Sequence, residues 1–365
     1  MTLVKEEIEI QNVIFDRLTE YHYEQLVFCH DKNTGLRAII AIHNTHLGPG
    51  LGGTRMYHYN NDQDAITDVL RLSRGMTYKA AISGLNLGGA KAVIIGDPYK
   101  HNSEGLMRRF GRFVETLGGR YITAEDVGTT TEDMEYIKME TDHVVGLPEM
   151  YGGGGDPSPM TAYGTYLGMK ASALEAYGNE SLSGKKILVE GIGKVGRHLV
   201  ELLAKENAKI YVADINPKSI DYAVKEFGAT HVELENVPSA EMDIYSPCAL
   251  GATVNSDTIP QFKCDIIAGA ANNQLKNDIE HSALLKERGI LYAPDYLINA
   301  GGLINVYTEL NGYNRGIAQS RTEKIFDVTC EIYKTATQES ITTYAASQVI
   351  AEKRIHDIGQ INLPY

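Results

Sequence analysis

Residues 185–216, KKILVEGIGKVGRHLVELLAKENAKIYVADIN, decide the fold of the second half of this chain. An apolar run, Lys186–Glu190, passes into Gly191-Ile192-Gly193-Lys194-Val195-Gly196, then into an amphipathic run to about Lys205, and a second apolar run ends at Asp214. The order is buried strand, glycine turn, helix, strand. A lone GxGxxG says little, but these parts with a terminal carboxylate in one unit carry a mechanism. Gly191 suits a tight turn, Gly193 lets a pyrophosphate approach the backbone, and Gly196 lets the helix pack on the strand. The helix N-terminus then offers free N–H groups and its positive dipole end to phosphate. Asp214 lies 23 positions after Gly191. A carboxylate there accepts from a ribose 2′-hydroxyl and repels a 2′-phosphate, so the expected cofactor is NAD, not NADP.

Downstream, strand-like runs at Met242–Ser246, Cys264–Ala268 and Ile290–Tyr292 supply the remaining strands of a doubly wound sheet. The loops leaving them, PCALG at 247–251 with Ala249 and GAANNQ at 269–274 with Asn273, point to the crevice at the carboxyl ends of the strands. Asn273 either faces a ligand there or caps a helix. Residues from Asn299 onward read as helical, and the last helix, about Thr343–Ile358, is long enough to pack back across both halves.

Upstream, EQLVFCH (24–30) and LRAIIAI (36–42) read as a hairpin about the Lys32–Gly35 turn. A glycine-rich turn, Gly48–Gly53, precedes a short strand through Arg55 and Tyr57. Apolar residues at helical spacing predict a helix from Asp62 to about Ala80. Further elements are a strand about Lys91, a helix over Ser103–Leu117, a strand ending at Asp126, a helix near Asp133–Glu140 and a short strand at Val144–Val145. Strands alternating with helices imply an α/β layer. Gly152–Gly155 is the expected hinge; after it Ser158 caps a helix with Pro159 in its first position, running to Gly178. The expected division is therefore an α/β domain at 1–148, a Rossmann-type doubly wound domain at 149–342, and a C-terminal segment, 343–365, returning to the first, with a cleft between the domains.

Within LNLGGAKAVIIGDP (85–98), Lys91 interrupts an apolar run. Burying a lysine as a charge is costly, so it sits at an edge or in a site. An amine in a dry cleft has its pKa lowered towards neutrality and can exchange protons; the plain alternative is an edge-strand lysine after a glycine turn. Composition narrows the partners. With 34 basic and 47 acidic residues and a net charge of −13, nucleic acid and anionic membranes are disfavoured. No apolar run approaches the ~20 residues that span a bilayer, and the first thirty residues lack the pattern of a secretory signal. Cys29, Cys248, Cys264 and Cys330 are scattered without CxxC pairs, as expected of reduced thiols in a cytoplasmic protein. His43 and His46, three apart on an expected strand, fall on opposite faces and make a poor metal site, so no metal is expected.

Seven segments in order resemble the glutamate/leucine/phenylalanine/valine dehydrogenases: LGPGLGGTR (47–55), RLSRGMTYKAA (71–81), LNLGGAKAVII (85–95), TAEDVGT (123–129), PSPMTAYG (157–164), AGAANNQL (268–275) and APDYLINAGGLINV (293–306). The resemblance covers nearly the whole chain. It implies NAD-dependent oxidative deamination of an L-amino acid to a 2-oxo acid and ammonia, in a symmetric homo-oligomer for which an octamer is one form. By this resemblance Lys79 holds the substrate carboxylate, Lys91 activates water, and Asp126 binds the amino group and exchanges protons. Gly52 and Asn273 touch the substrate's polar end, and Thr161 holds the nicotinamide amide. The side-chain pocket is formed by Leu51, Met76, Ala124, Val145, Leu303 and Val306. These are apolar, which implies leucine, valine or isoleucine. Position 303 is Leu where leucine-acting members often carry a smaller Val, which keeps phenylalanine open as substrate. A non-catalytic NAD-binding regulator on this fold is the remaining alternative; it needs neither Lys79, Lys91 nor Asp126.

Overall fold

The computed structural model describes residues 13–249 and 251–362. Residues 1–12, which belong to the expected first domain and to the stretch read for a secretory signal, lie outside the described residues. So do Leu250 in the PCALG loop and residues 363–365 at the end of the expected C-terminal segment.

The first layer is built from α1 (Val13–Glu20), β1 (Gln25–Asp31), β2 (Leu36–Asn44), β3 (Gly50–Tyr57), α2 (Asp62–Ile82), β4 (Gly88–Ile95), α3 (Glu104–Glu115), β5 (Tyr121–Glu125) and α4 (Thr131–Lys138). Its sheet runs β1-β2-β4-β3-β5. The hairpin β1–β2 and the β2–β4 pair are antiparallel, and β3 runs parallel to both β4 and β5. Period two sorts the side chains of β4. Ala90, Ala92 and Ile94 face α3 and α4 in one apolar cluster, while Val93 packs against Ala65, Ile66 and Val69 of α2 in another. Lys91, of the same parity as Val93, is thereby turned towards α2, the helix that carries Lys79. Asn61 caps α2 by accepting from the Asp64 N–H, and Asp62 and Asp64 complement the dipole.

Two sequence expectations change here. The glycines of 48–53 do not form a turn throughout: Gly50–Gly53 are the first half of β3, in the sheet interior. They serve close approach. The same holds across the sheet at Gly89, where a Cβ would fall 2.1 Å from the Thr77 nitrogen of α2, so helix and strand meet backbone to backbone. The Val144–Val145 strand reduces to one bridge, Thr123 to Val144; the chain touches β5 and leaves.

After a short 3₁₀ turn, Glu149–Tyr151, the second layer follows: α5 (Ser158–Tyr177), β6 (Lys186–Glu190), α6 (Lys194–Lys205), β7 (Lys209–Ala213), α7 (Pro217–Phe227), β8 (Thr230–His231), β9 (Ile244–Pro247), β10 (Ile266–Ile267), α8 (Asp278–Glu287), β11 (Leu291–Tyr292), α9 (Asp295–Ile298), α10 (Gly301–Glu309), α11 (Arg315–Glu339) and α12 (Thr343–Gly359). Its six strands are parallel in the order β11-β10-β9-β6-β7-β8, which is the dinucleotide-binding order 3-2-1-4-5-6 with its switch point between β6 and β9. Ser158 does not cap α5. The Asp156 carboxylate accepts its N–H at 2.9 Å, and the helix begins at Ser158 itself.

The linker is held from the far side. Glu309, the last residue of α10, accepts the Gly146 N–H at 2.8 Å and the Gly154 N–H at 2.9 Å. Helix α12 reaches back to the first layer: Glu352 accepts from Tyr78 at 3.0 Å, and Arg354 donates to Asn86 at 3.0 Å. One apolar cluster runs from Leu51, Ala124 and Val145 through to Leu303 and the α5–α6 face. None of the described helices is long and apolar enough to cross a membrane.

Candidate active site

A cleft of about 790 Å³ lies between the two layers. Strand periodicity populates its first wall: Leu51, Gly53 and Arg55 on β3, Lys91 on β4, and Ala124 with Asp126 at the end of β5. From α2 come Met76 and Lys79, three residues apart and hence neighbours on one helix face. The opposite wall is supplied by Asn272 and Asn273 from the loop after β10, Asp295 of α9, and Leu303 and Val306 of α10. Leu303 and Val306 repeat the three-residue spacing.

At the floor, Lys91 is buried, with its Nζ 3.2 Å from Asp126 Oδ1. Arg55 Nε donates to the other oxygen, Asp126 Oδ2, at 3.0 Å. Burial lowers the Lys91 pKa, Arg55 lowers it further, and Asp126 opposes both. Burial pushes the Asp126 carboxyl up, but the two cations outweigh it and hold the group below the usual carboxylate range. The pair is therefore an ionised acid beside an amine that gives up its proton more readily than a free lysine.

Lys79 reaches across the cleft. Its Nζ donates to Asn299 Oδ1 at 2.6 Å, and Asn299 Nδ2 donates to Asn272 Oδ1 at 2.8 Å. Burial and the nearby Lys91 bring Lys79 down to about 8 against the opposing pull of Asp295 and Asp126. Asp295 is brought up to about 6, by burial first and by Asp278 second; the Gln274 N–H, at 2.9 Å from its Oδ2, restrains the rise.

Not every expected residue reaches the cleft. Gly52 is in β3, and a Cβ there would fall 1.7 Å from the Ala90 oxygen; Leu51 and Gly53 form the wall at this level. Val145 is buried behind that wall, in the cluster that contains Leu51 and Ala124. Asn273 faces the cleft at φ +54°, while Asn277 is the residue that caps α8. Thr161 occupies the first turn of α5. Its hydroxyl donates to the Pro157 oxygen at 3.1 Å and lies so near Gly302 that a Cβ there would come within 2.7 Å. Four polar residues of the site escaped sequence reasoning: Arg55, Asn272, Asn299 and Asp295. Arg55 carried the signal used for Lys91, a charge within a strand of apolar and glycine residues; Asn299 and Asp295 stood in a motif read only for its apolar members.

At the switch point, Gly191 has φ +98°, and a Cβ would meet the Ala249 nitrogen at 2.7 Å. A Cβ on Gly196 would fall 2.0 Å from the Gly191 oxygen, whereas one on Gly193, the N-cap of α6, would enter open space. The cradle formed by Gly191, Ile192, Gly193, Lys194, Val195 and Gly196 is thus closed behind and open in front, as a pyrophosphate requires. Asp214 directly follows β7 and accepts the Ile192 N–H at 2.5 Å and the Asn216 N–H at 2.7 Å. These bonds fix the carboxylate at the cradle's rim, so the residues fit a dinucleotide.

Comparison with known proteins agrees with this geometry. The family model "Glu/Leu/Phe/Val dehydrogenase, dimerisation domain" matches residues 23–143, and "Glutamate/Leucine/Phenylalanine/Valine dehydrogenase" matches residues 212–361. Leucine dehydrogenase of Bacillus cereus is 56% identical over 352 residues, 96% of each chain. Leucine dehydrogenase of Geobacillus stearothermophilus is 52% identical over the same share of each. The crystal structure of L-tryptophan dehydrogenase from Nostoc punctiforme superposes with a TM-score of 0.86 at 44% identity, over 95% of this chain and 100% of that one. With both layers matched in order, the chain belongs to the Glu/Leu/Phe/Val dehydrogenase family and is an amino-acid dehydrogenase, an oxidoreductase.

Proposed function

We infer that this enzyme catalyses the reversible, NAD-dependent oxidative deamination of a branched-chain aliphatic L-amino acid, leucine first and valine and isoleucine beside it. The overall change is amino acid, NAD⁺ and water to 2-oxo acid, ammonium, NADH and a proton. The observation that carries this reading is the meeting of Lys79, Lys91 and Asp126 on one wall of a cleft whose other wall belongs to the dinucleotide-type layer. A regulator that only senses NAD has no use for that trio.

The cofactor would be held by the Gly191–Gly196 cradle, with Asp214 on the ribose, Ala249 beside the turn, and Thr161 and Asn273 towards the nicotinamide and the substrate. When bound, it supplies a hydride acceptor for the substrate Cα. The protein's residues do the rest. Lys79 in its protonated form, which an adjoining carboxylate favours, holds the substrate carboxylate, with Asn299 accepting from its ammonium. Asp126, ionised between two cations, accepts a proton from the substrate ammonium, leaving a free amine from which hydride can depart. Lys91 in its neutral form takes a proton from the water that attacks the resulting iminium carbon. Lys91 passes its proton on to solvent, and Asp126 then returns its proton to nitrogen. The C–N bond breaks as the hydroxyl oxygen forms the carbonyl and gives its proton to the again neutral Lys91, and ammonia leaves. Burial and the neighbouring cations are what make the neutral form of Lys91 accessible.

The substrate side chain meets Leu51, Met76, Ala124, Leu303 and Val306. No charge is among these five, so a glutamate side chain would bury an unpaired carboxylate at a cost of several kcal/mol. Each methylene of an aliphatic chain contributes about 0.8 kcal/mol there. Ala124 and Leu303 narrow the space that an aromatic ring needs. The relatives named for leucine are also more similar to this chain than the one named for tryptophan. Four free cysteines fit a reducing cytoplasm. Assembly as a homo-oligomer, an octamer among its forms, accords with the dimerisation domain of the matching family and with Phe28, 58% exposed on edge strand β1.

The test is NADH formation from L-leucine and from L-phenylalanine at alkaline pH. A higher kcat/KM for leucine is expected. A preference for phenylalanine would overturn the substrate, and no NADH from any L-amino acid would overturn the reaction.

A further inference from the structure

Among the charged side chains that line the cleft without a role in this mechanism, Arg55 is the one bonded directly to Asp126. Arg55 stands on β3 with its side chain 21% exposed. Its Nε donates to Asp126 Oδ2 at 3.0 Å, and its Nη1 donates to Asp68 Oδ2 at 2.9 Å. The same Asp68 oxygen accepts from the Tyr59 hydroxyl at 2.8 Å, and Asp68 Oδ1 accepts from Arg71 at 3.1 Å. Asp68 is therefore a fixed anchor on α2, and Arg55 bridges it to the acid of the site. Two of the guanidinium nitrogens are already engaged, so the side chain is not a free clamp for the substrate carboxylate.

We propose that Arg55 is a positioning residue for the deamination: anchored on Asp68, it takes one oxygen of Asp126, fixes the plane of that carboxylate, and so directs the other oxygen at Lys91 and the incoming amino group. The proposal rests on the reading of Lys91 as base and Asp126 as proton carrier. A guanidinium suits this task because its planar fork sets direction as well as distance, which an ammonium does not.

A purely structural ion pair would show the same contacts, so the consequence for Lys91 distinguishes the two. The charges that face Lys91 are Asp126 from the loop after β5, Arg55 from β3, and Asp68 and Lys79 from α2. Removing Arg55 takes a repelling cation from beside Lys91 and leaves Asp126 to it alone. Both changes favour the protonated amine.

The experiment measures kcat for L-leucine oxidation against pH in the wild type, Arg55→Gln, Arg55→Lys and Lys91→Ala. Arg55→Gln is expected to move the acid limb to higher pH by about one pH unit or more, the effect of one neighbouring charge. Arg55→Lys keeps a cation and should leave the limb near its wild-type place, yet lower the plateau by about tenfold or more, because the fork is lost and the carboxylate is misplaced. An Arg55→Gln limb that coincides with the wild type, or an Arg55→Lys plateau equal to the wild type, overturns the proposal. If Arg55→Gln does not fold, the Arg55→Lys plateau decides. Residual activity in Lys91→Ala above about a tenth of wild type would instead remove the base on which the proposal rests.

Discussion

Asp126→Asn probes the site through the opposite charge. The carboxylate lies 3.2 Å from Lys91 Nζ, and at an effective dielectric near 20 two unit charges at that distance attract by about 5 kcal/mol. A carboxamide keeps the shape and one hydrogen bond, so part of this interaction survives as a dipole. The expected loss moves the Lys91 equilibrium by about one to three pH units, the range that a single close charge commands. The sign is definite. Asp126 favours the protonated amine, while burial and Arg55 favour the neutral one; without the carboxylate the neutral form persists to lower pH. The acid limb of kcat for L-leucine oxidation should therefore move down, opposite to the direction expected for Arg55→Gln. The plateau should also fall by about 10²–10⁴-fold, because the group that exchanges protons with the substrate nitrogen is gone. Steady-state rates between pH 6 and pH 11 give both readings. A limb that stays in place or moves up would refute the coupling of Asp126 to Lys91, whatever the plateau does.

Other sites make separate commitments. Asp214→Ala should weaken NAD and lower the NAD-to-NADP ratio of kcat/KM by about tenfold, or 1.4 kcal/mol; an unchanged ratio would assign the ribose contact elsewhere. Ala124→Gly should move the leucine-to-phenylalanine ratio of kcat/KM towards phenylalanine by about tenfold, since one methyl group of wall is removed. Glu309→Gln should lower the unfolding midpoint, because one of the two linker N–H groups that Glu309 accepts would face an amide donor. The loss is about 1.5–3 kcal/mol for one hydrogen bond to a charged group, and thermal unfolding that matches the wild type would show that the linker is held otherwise.

What could be read from the sequence followed the range of the interactions. The cradle was legible because its parts are contiguous: strand, glycines, helix and Asp214 all lie within 185–216, and their spacing is the mechanism. Lys91 was legible because a charge inside an apolar run needs a reason to be there. The glycines of 48–53 were ambiguous, since a run of glycines serves either a turn or the close approach of backbones, and only the neighbouring strands distinguish the two. Arg55 carried a local signal, a charge within a strand of glycine and apolar residues, but its partners were not legible, and Asn299 carried no signal at all. Arg55 is defined by Asp68 and Asp126, 13 and 71 positions away, and Asn299 by Lys79, 220 positions away. Nothing local marks either partner, and the pairs exist only once α2, β3 and α9 are packed together.

The central claim is that one amine, buried in the first layer and separate from the dinucleotide cradle, performs the proton transfer. Lys91→Ala tests it most directly, with NAD binding measured by calorimetry and turnover of L-leucine measured on the same preparation. Unchanged NAD affinity is expected together with a kcat lower by about 10²–10⁴-fold, the usual contribution of a general base. A variant that binds NAD normally and keeps more than about a tenth of the wild-type kcat would contradict the claim.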